Sequence, residues 1–353
     1  MATAYIVSQN GKLQRDGNLL QYSDYTGNIT KLIPDKIDQI VVVGNLELTG
    51  QAFSLLVEKR IEVSFLQKNG RYNGKIVFQD SKNSILRHRQ HLLAENTEWS
   101  LTIAKDIVRG KIHNEYLFMQ RIGRKLRTPA IVDAIELVDS IRNRLEGASV
   151  IDEIRGFEGI AAKAYFSCFS ANINQPWAKF NGRSKNPPKD EVNSVMSFLY
   201  TVLASRIASL IQQEGLDDSI GTLHSLCYGR KSLVYDLLEE YRTPIADTLT
   251  CSLFNLGVLA KNDFRTESIQ VEQDDENAVV EQLSESEKVP GVLLTETGMK
   301  KVLSQLEKKL DQPHFYPLLE KTVSYKEIMR GQVKQYKQLL GGVYEHYQPI
   351  VVK

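Results

Sequence analysis

The chain is expected to be α+β, with a small β-rich N-terminal domain over residues 1–82 followed by a larger all-α domain over residues 83–353. Two observations carry this expectation. Up to residue 78 the apolar residues come in short β-branched runs separated by Asp16-Gly17, Pro34 and Asn69-Gly70, the pattern of strands and tight turns. From about Lys82 onward apolar residues recur every three or four positions, the period of a helix lying on a core. A chain of 353 residues, 42% of them hydrophobic, has the material for two such cores.

In the first domain, strands are expected at Tyr5-Ile6-Val7, at residues 19–22, 37–43 and 61–66, and at Ile76-Val77-Phe78. Asp16-Gly17 closes a hairpin onto the second run, and Asn69-Gly70 turns the chain into the last one. One helix interrupts the strands, capped by Thr49 and ending near Arg60. In the second domain, residues 99–121, 129–145 and 151–169 carry apolar residues at helical spacing. The clearest stripe runs through Val192, Val195, Met196, Leu199, Val202, Leu203, Ile207, Leu210 and Ile211 and is stopped by Gly215. Residues 172–189 form a polar loop anchored by Trp177 and Phe180, and residues 299–310 and 325–340 return to amphipathic helix.

Residues 266–287 hold eight acidic residues and no Lys or Arg, so removing those eight charges takes the remainder from +1 to +9. The tract lacks periodicity and reads as a mobile segment or a surface insertion. The positive excess elsewhere suits either a polyanion-binding surface or ordinary solvated faces. Cys168, Cys227 and Cys251 are odd in number and lack paired short spacing, which excludes a disulfide framework and a zinc ribbon and makes them reduced core residues. No charged and then apolar leader opens the sequence and no run approaches a membrane span of ~18 to 20 apolar residues, so a cytoplasmic protein is expected. Neither GxxxxGK[ST], nor GxGxxG after a strand, nor GxSxG is present, so a nucleotide cofactor is not indicated.

Acidic and imidazole groups interrupt two otherwise apolar helical stretches, GFEGIAAKAYF at residues 156–166 and LHSLCYGRKSLVYDLLEEYRTPIAD at residues 223–247. Such groups cost free energy unless they have a partner. In the first stretch Glu158, Ala162 and Tyr165 share one helix face, and Gly159, Ala161 and Ala162 are small enough for a neighbouring helix to approach. Glu158 is then either a dehydrated carboxylate facing a cation or a part-exposed residue favoured by the helix dipole. In the second stretch Asp236 and Glu239, three apart, project from the same side, whereas Glu240 faces solvent. His224 is either a ligand or a core or capping group. One imidazole with two or three carboxylates suits Mn²⁺ or Mg²⁺, and the lack of a Cys pair argues against structural zinc. Arg230, Lys231 and Arg242 form either ion pairs, such as Glu239 with Arg242 at i, i+3, or phosphate contacts. His88 and His91, with Arg87 and Arg89 interleaved, read as an exposed face at the domain junction rather than a metal pair.

Together these stretches resemble the family of CRISPR-associated protein one, the integrase of spacer acquisition. GFEGIAAKAYF resembles the helix that bears that family's first metal-binding Glu, and LHSLCYGRKSLVYDLLEEYRTPIAD resembles the segment with its His and final acid. FNGRSKNPPKDEVNSVMSFLYTVL resembles the intervening loop and long helix, while IVVVGNLELTGQAFSLLVEKRIEVSFL and GKIHNEYLFMQRIGRK fit the β-rich domain and linker helix. The resemblance implies that Glu158, His224 and Glu239 are ligands of a divalent metal, Mn²⁺ or Mg²⁺, with Asp236 a further acid of the motif that orients His224 or holds a water. It implies an N-terminal domain that mediates homodimerisation, a helical catalytic domain, and a small ferredoxin-like partner, CRISPR-associated protein two. The implied reaction is metal-dependent cleavage of DNA and its integration, in which the 3′-hydroxyl of a short duplex attacks a phosphodiester at the edge of a CRISPR repeat. Two other readings are a non-catalytic DNA-binding scaffold of the same fold and a metal-dependent phosphohydrolase acting on small phosphate esters. The complete acid, imidazole, acid set speaks against the scaffold, and the lack of an HD dipeptide against the phosphohydrolase.

Overall fold

The computed structural model describes residues 2–76, 83–185, 187–271 and 287–351. They fall into two compact units, one formed by Met1–Asp80 with Leu294–Leu303 and the other by Ser81–Leu293 with Ser304–Lys353.

The first unit is built on a six-stranded sheet of order β3-β2-β1-β4-β5-β6. β1 (Ala2–Asp16) turns at Gly17 into β2 (Leu19–Ser23), and β3 (Ile29–Leu32) follows on its outer edge; all three are antiparallel neighbours. β4 (Ile37–Leu48) lies parallel to β1, and β5 (Glu62–Leu66) parallel to β4, with β6 (Tyr72–Ile76) antiparallel at the other edge. The parallel β4–β5 step requires a crossover, supplied by α1 (Gly50–Lys59). The Thr49 hydroxyl caps it by accepting from the Ala52 N–H at 3.3 Å, and Arg60 ends it in the left-handed region at φ 54°. Ile6, Leu13, Leu20, Ile40, Val42, Leu55 and Leu56 bury one sheet face under this helix. β1 and β4 outrun the expected strands because polar residues continue the alternation past each apolar run. β3 was not anticipated: it is four residues long and largely exposed, so no apolar alternation marks it. Val77 and Phe78 of the last expected strand lie outside the described residues.

The second unit is mostly helical. α2 (Ser84–Glu95) precedes α3 (Thr97–Lys125), which packs against α4 (Pro129–Arg144), α5 (Ile151–Phe169) and α7 (Ser232–Tyr241). α6 (Glu191–Gln213) packs against α7, α8 (Thr248–Asn255) and α10 (Tyr325–Leu340). At mean hydropathy 1.5, α6 is long and apolar enough to cross a membrane, contrary to the expectation that no such run exists, yet 72% of its apolar window is buried inside the protein. It is the clearest stripe of the sequence serving as a core helix.

Strands also occur here, which the helical periodicity did not show. β7 (Phe264–Val271) pairs with β8 (Glu287–Leu294), and β9 (Pro313–Tyr316), after α9 (Glu296–Leu310), pairs with β10 (Lys321–Ser324). The expected acidic segment therefore begins and ends in strand, and its residues 272–286 lie outside the described residues. His88 and His91 are exposed on α2. Cys168 and Cys251 are buried, whereas Cys227, expected in the core, is partly exposed on a loop.

Candidate metal centre

The site residues gather where α3, α5 and α7 meet. Gly110 lets α3 close on Pro349, which a Cβ would strike, and the next residue, Lys111, is buried to 8% exposure of its side chain. Its ammonium pairs with Glu158 Oε1 of α5 and lies 2.7 Å from Glu239 Oε2 of α7. Glu158 stays 28% exposed and Glu239 only 4%; of the alternatives posed for Glu158 it takes the cation, while keeping contact with solvent, and as the eighth residue of α5 it lies beyond the first turn where the helix dipole would favour it. Gly159 faces open space and does not admit a helix; Ala161 is the small residue that is buried.

Burial would push the Glu239 carboxyl up, but Arg242, Lys111 and His224 outweigh it and hold it at about 2. Arg242 Nη2 sits 3.0 Å from Glu239 Oε1, so of its two readings it takes the ion pair. Burial opposes the charge of Lys111, yet Glu239, Glu158 and Glu115 together raise its pKa. Glu115, one turn along α3 from Lys111, lacks a hydrogen-bond partner at Oε2, and burial pushes its carboxyl up to about 8 against the pull of Lys111.

His224 belongs to the loop before α7. Its Nδ1–H donates to Asp236 Oδ1 at 2.7 Å, and the same carboxylate accepts from the backbone N–H groups of Thr222, Leu223 and His224 at 2.6, 3.0 and 2.9 Å. Fully buried Asp236 thus folds the loop back over the start of α7. Gly221 is required there because a Cβ would lie 2.6 Å from Asp236 Oδ2. Arg155 of α5 fixes the other side by donating to the Leu223 carbonyl at 2.8 Å.

Among the described residues no group of three His, Cys, Asp or Glu side chains converges as a metal shell. The two glutamates converge on Lys111 instead, and His224 turns Nδ1 to Asp236 while acting electrostatically on Glu239. Of the basic residues beside them, Lys231 lies 3.3 Å from Asp218, and Arg230 is half-buried on the same loop.

Beneath the site runs a second polar layer that sequence reasoning missed. After α7 the chain makes a π-helical turn, Arg242–Asp247, before α8. Asp247 is buried and accepts from the hydroxyls of Tyr165 at 2.8 Å and Tyr200 at 2.6 Å, and burial lifts its carboxyl to about 6 against those bonds. The guanidiniums of Arg242 and Arg183 lie 4.6 and 5.2 Å from the Tyr200 ring centroid, cation–π distances. Glu240, expected to face solvent, is 1% exposed. It accepts from Gln332 Nε2 at 2.8 Å, Tyr347 OH at 2.6 Å and the Ile350 N–H at 2.6 Å, because residues near the chain's end cover that face of α7. Burial raises it to about 7 despite these bonds.

The profile of the family "CRISPR associated protein Cas1" matches residues 4–285. "CRISPR-associated endonuclease Cas1 3" of Thermus thermophilus is 29% identical, covering 100% of this chain and 98% of its own length. "CRISPR-associated endonuclease Cas1 1" of Thermodesulfovibrio yellowstonii is 31% identical over 95% of each chain. Among solved structures, a CAS1 protein from Thermotoga maritima shares the fold with a TM-score of 0.78 at 24% identity, covering 98% of this chain and 99% of its own. A casposase bound to integration product gives 0.81 at 21%, covering 100% and 95%. With a family profile matched over most of its length and relatives aligned end to end, the chain belongs to the Cas1 family.

Proposed function

We propose that the chain is a DNA endonuclease and integrase of CRISPR adaptation, dependent on a divalent metal, that joins short DNA to a repeat edge by attack of a 3′-hydroxyl on a phosphodiester. One observation carries the metal-dependent chemistry: two carboxylates from different helices, Glu158 and Glu239, converge on a single cation beside an imidazole oriented by a buried carboxylate. In the structure the cation is the ammonium of Lys111.

The donor set fits a hard divalent ion, Mn²⁺ or Mg²⁺. Glu158, Glu239 and Nε2 of His224 would hold it, and bound there it supplies Lewis-acid neutralisation of charge on the phosphate's non-bridging oxygens. Asp236 takes the Nδ1 proton of His224 into its hydrogen bond and so leaves the lone pair on Nε2, the arrangement in which a neutral imidazole ligates. Arg242 and Lys111 keep Glu239 ionised, and Lys111 neutralises the glutamate pair when no metal is bound. Basic side chains such as Arg230 and Lys231, on the loop that bears His224, supply phosphate contacts that position DNA without reading its sequence.

Among the structural neighbours are a "Cas6-RT-Cas1--Cas2 complex", with a TM-score of 0.80 over 36% of that chain, and the casposase bound to integration product. They support a partnership of this chain with Cas2, the small ferredoxin-like subunit, and with DNA. The reading also assigns homodimerisation to the N-terminal β-rich domain and catalysis to the helical one, working in the cytoplasm.

Glu158→Ala, His224→Ala and Glu239→Ala should each abolish Mn²⁺-dependent strand transfer into a repeat-containing plasmid while leaving dimerisation intact. Wild-type-like joining by all three would sink the proposal. A wild-type protein that binds DNA but neither cuts nor joins it with any divalent metal would favour the scaffold instead.

A further inference from the structure

A second concave site opens along α3 on the far side of Asn114, where none of Glu158, His224, Asp236 and Glu239 contributes a wall. It is a cavity of about 270 Å³, near the lower end of the ~300–1,000 Å³ range of small-molecule sites and so sized for a small anion rather than a whole nucleotide. Arg121 of α3, Thr243 of the π turn, Lys309 and Gln312 at the end of α9, His314 of β9 and Tyr325 of α10 line it. No carboxylate does, so its walls carry one sign of charge.

The basic groups are held in place. His314 stacks on the Tyr325 ring with centroids 5.2 Å apart and planes 19° apart, and the Lys309 ammonium lies 5.7 Å from the same ring. Burial lowers the pKa of Lys309, and Arg121 lowers it further; burial lowers that of His314, and Lys309 adds to it. Lys309 and Arg121 are thus close enough to repel, and the His314 ring, bonded also to the Val351 backbone, sits beside them, an arrangement that an anion would relieve.

We infer that this cavity is a phosphate site, binding one phosphoryl group through Lys309, His314 and Arg121 with the Thr243 hydroxyl as a further donor. The chemistry is the same whether the group is free phosphate or belongs to a nucleic-acid strand. A multiply charged tetrahedral oxyanion can meet donors arriving from four elements, whereas a carboxylate offers one charge and two oxygens in a plane. The inference stands on the cavity itself and does not depend on the metal chemistry proposed above.

The test is calorimetric titration of the full chain with inorganic phosphate at constant ionic strength, chloride making up the difference. Saturable binding is expected, weakened about tenfold by Lys309→Met, which removes one charge-assisted contact. Gln312→Glu should weaken it at least as much by placing a carboxylate beside the anion. Because Gln312 is exposed, that variant decides the matter if Lys309→Met does not fold. Competition between phosphate and a 5′-phosphorylated single-stranded oligonucleotide, lost without the 5′-phosphate, assigns the site to a strand end; competition by both oligonucleotides assigns it to backbone phosphate, and competition by neither to the free anion. The inference is overturned if phosphate produces no saturable heat beyond chloride, or if both variants bind it as the wild type does.

Discussion

Lys111→Met replaces the buried ammonium with an apolar chain of similar length and leaves Glu158 and Glu239 facing each other. Removing one partner of a buried ion pair costs about 3–5 kcal/mol. Here the lower end applies, because Glu158 is partly solvated and Glu239 retains Arg242. In chelator at pH 7 the variant should therefore unfold in urea with about 3 kcal/mol less stability than the wild type. Mn²⁺ at a hundred times its Kd should return about 2.7 kcal/mol, since it binds only the folded site. The wild type should gain less, because the ion competes there with an internal cation. The acid limb should move as well. Glu239, held at about 2, contributes stability that is present above the usual carboxylate pKa of ~4.3 and is lost as pH falls toward 2; without Lys111 the folded carboxyl titrates closer to its unfolded value, so less stability should be lost across that range. Equal stability of the two proteins in chelator, or equal stabilisation of both by Mn²⁺, would refute the reasoning.

Two further outcomes follow from buried carboxyls beside the site. Glu240→Ala removes the acceptor of Gln332, Tyr347 and the Ile350 N–H and should cost about 1–3 kcal/mol in urea denaturation, with Mn²⁺ affinity changed little; a large loss of affinity at unchanged stability would contradict a structural role. Glu115, raised to about 8, holds a proton in the folded state that the unfolded chain has lost, so wild-type stability should fall as pH rises from ~4.5 to ~8 by up to about 1.4 kcal/mol per unit. Glu115→Gln should remove that slope, and urea midpoints at pH 5, 7 and 8.5 that run parallel for both proteins would show the assignment to be mistaken.

The parts of the fold legible in the sequence are those whose signal is local. Asp16-Gly17 marks a hairpin and Thr49 a helix cap because turn and cap chemistry lie within four residues. β3, β9 and β10 are four residues long and mostly exposed or half-buried, so no apolar alternation announces them. In the site, His224 and the acids of α7 stand out because each interrupts an apolar stripe. Lys111 escaped notice although it meets the same criterion: with Glu115 and Phe118 it lies on the buried stripe of α3, and that mismatch was the available signal. Its partners, Glu158 and Glu239, are remote along the chain, so no local spacing could pair them. Glu240 was misplaced for the converse reason. Four residues on from Asp236 it lies within ~40° of that residue around the helix, so spacing alone does not set it apart, and whether its side meets water is decided by Tyr347 and Ile350, more than a hundred residues later.

The π-helical turn at Arg242–Asp247 has a consequence for how such a site can change over descent. A turn closed by i→i+5 bonds holds one more residue than an α-helical turn, and it houses Pro244, whose missing N–H would leave a gap in a regular helix. Deleting one residue there would restore the α-helical register and swing everything that follows by ~100° about the axis. Asp247 would leave Tyr165 and Tyr200, while Glu239 and Asp236, upstream, would keep their places. The region therefore tolerates change of letter more readily than change of length, and a relative without the extra residue must draw its tyrosine-bound acid from another position on the helix.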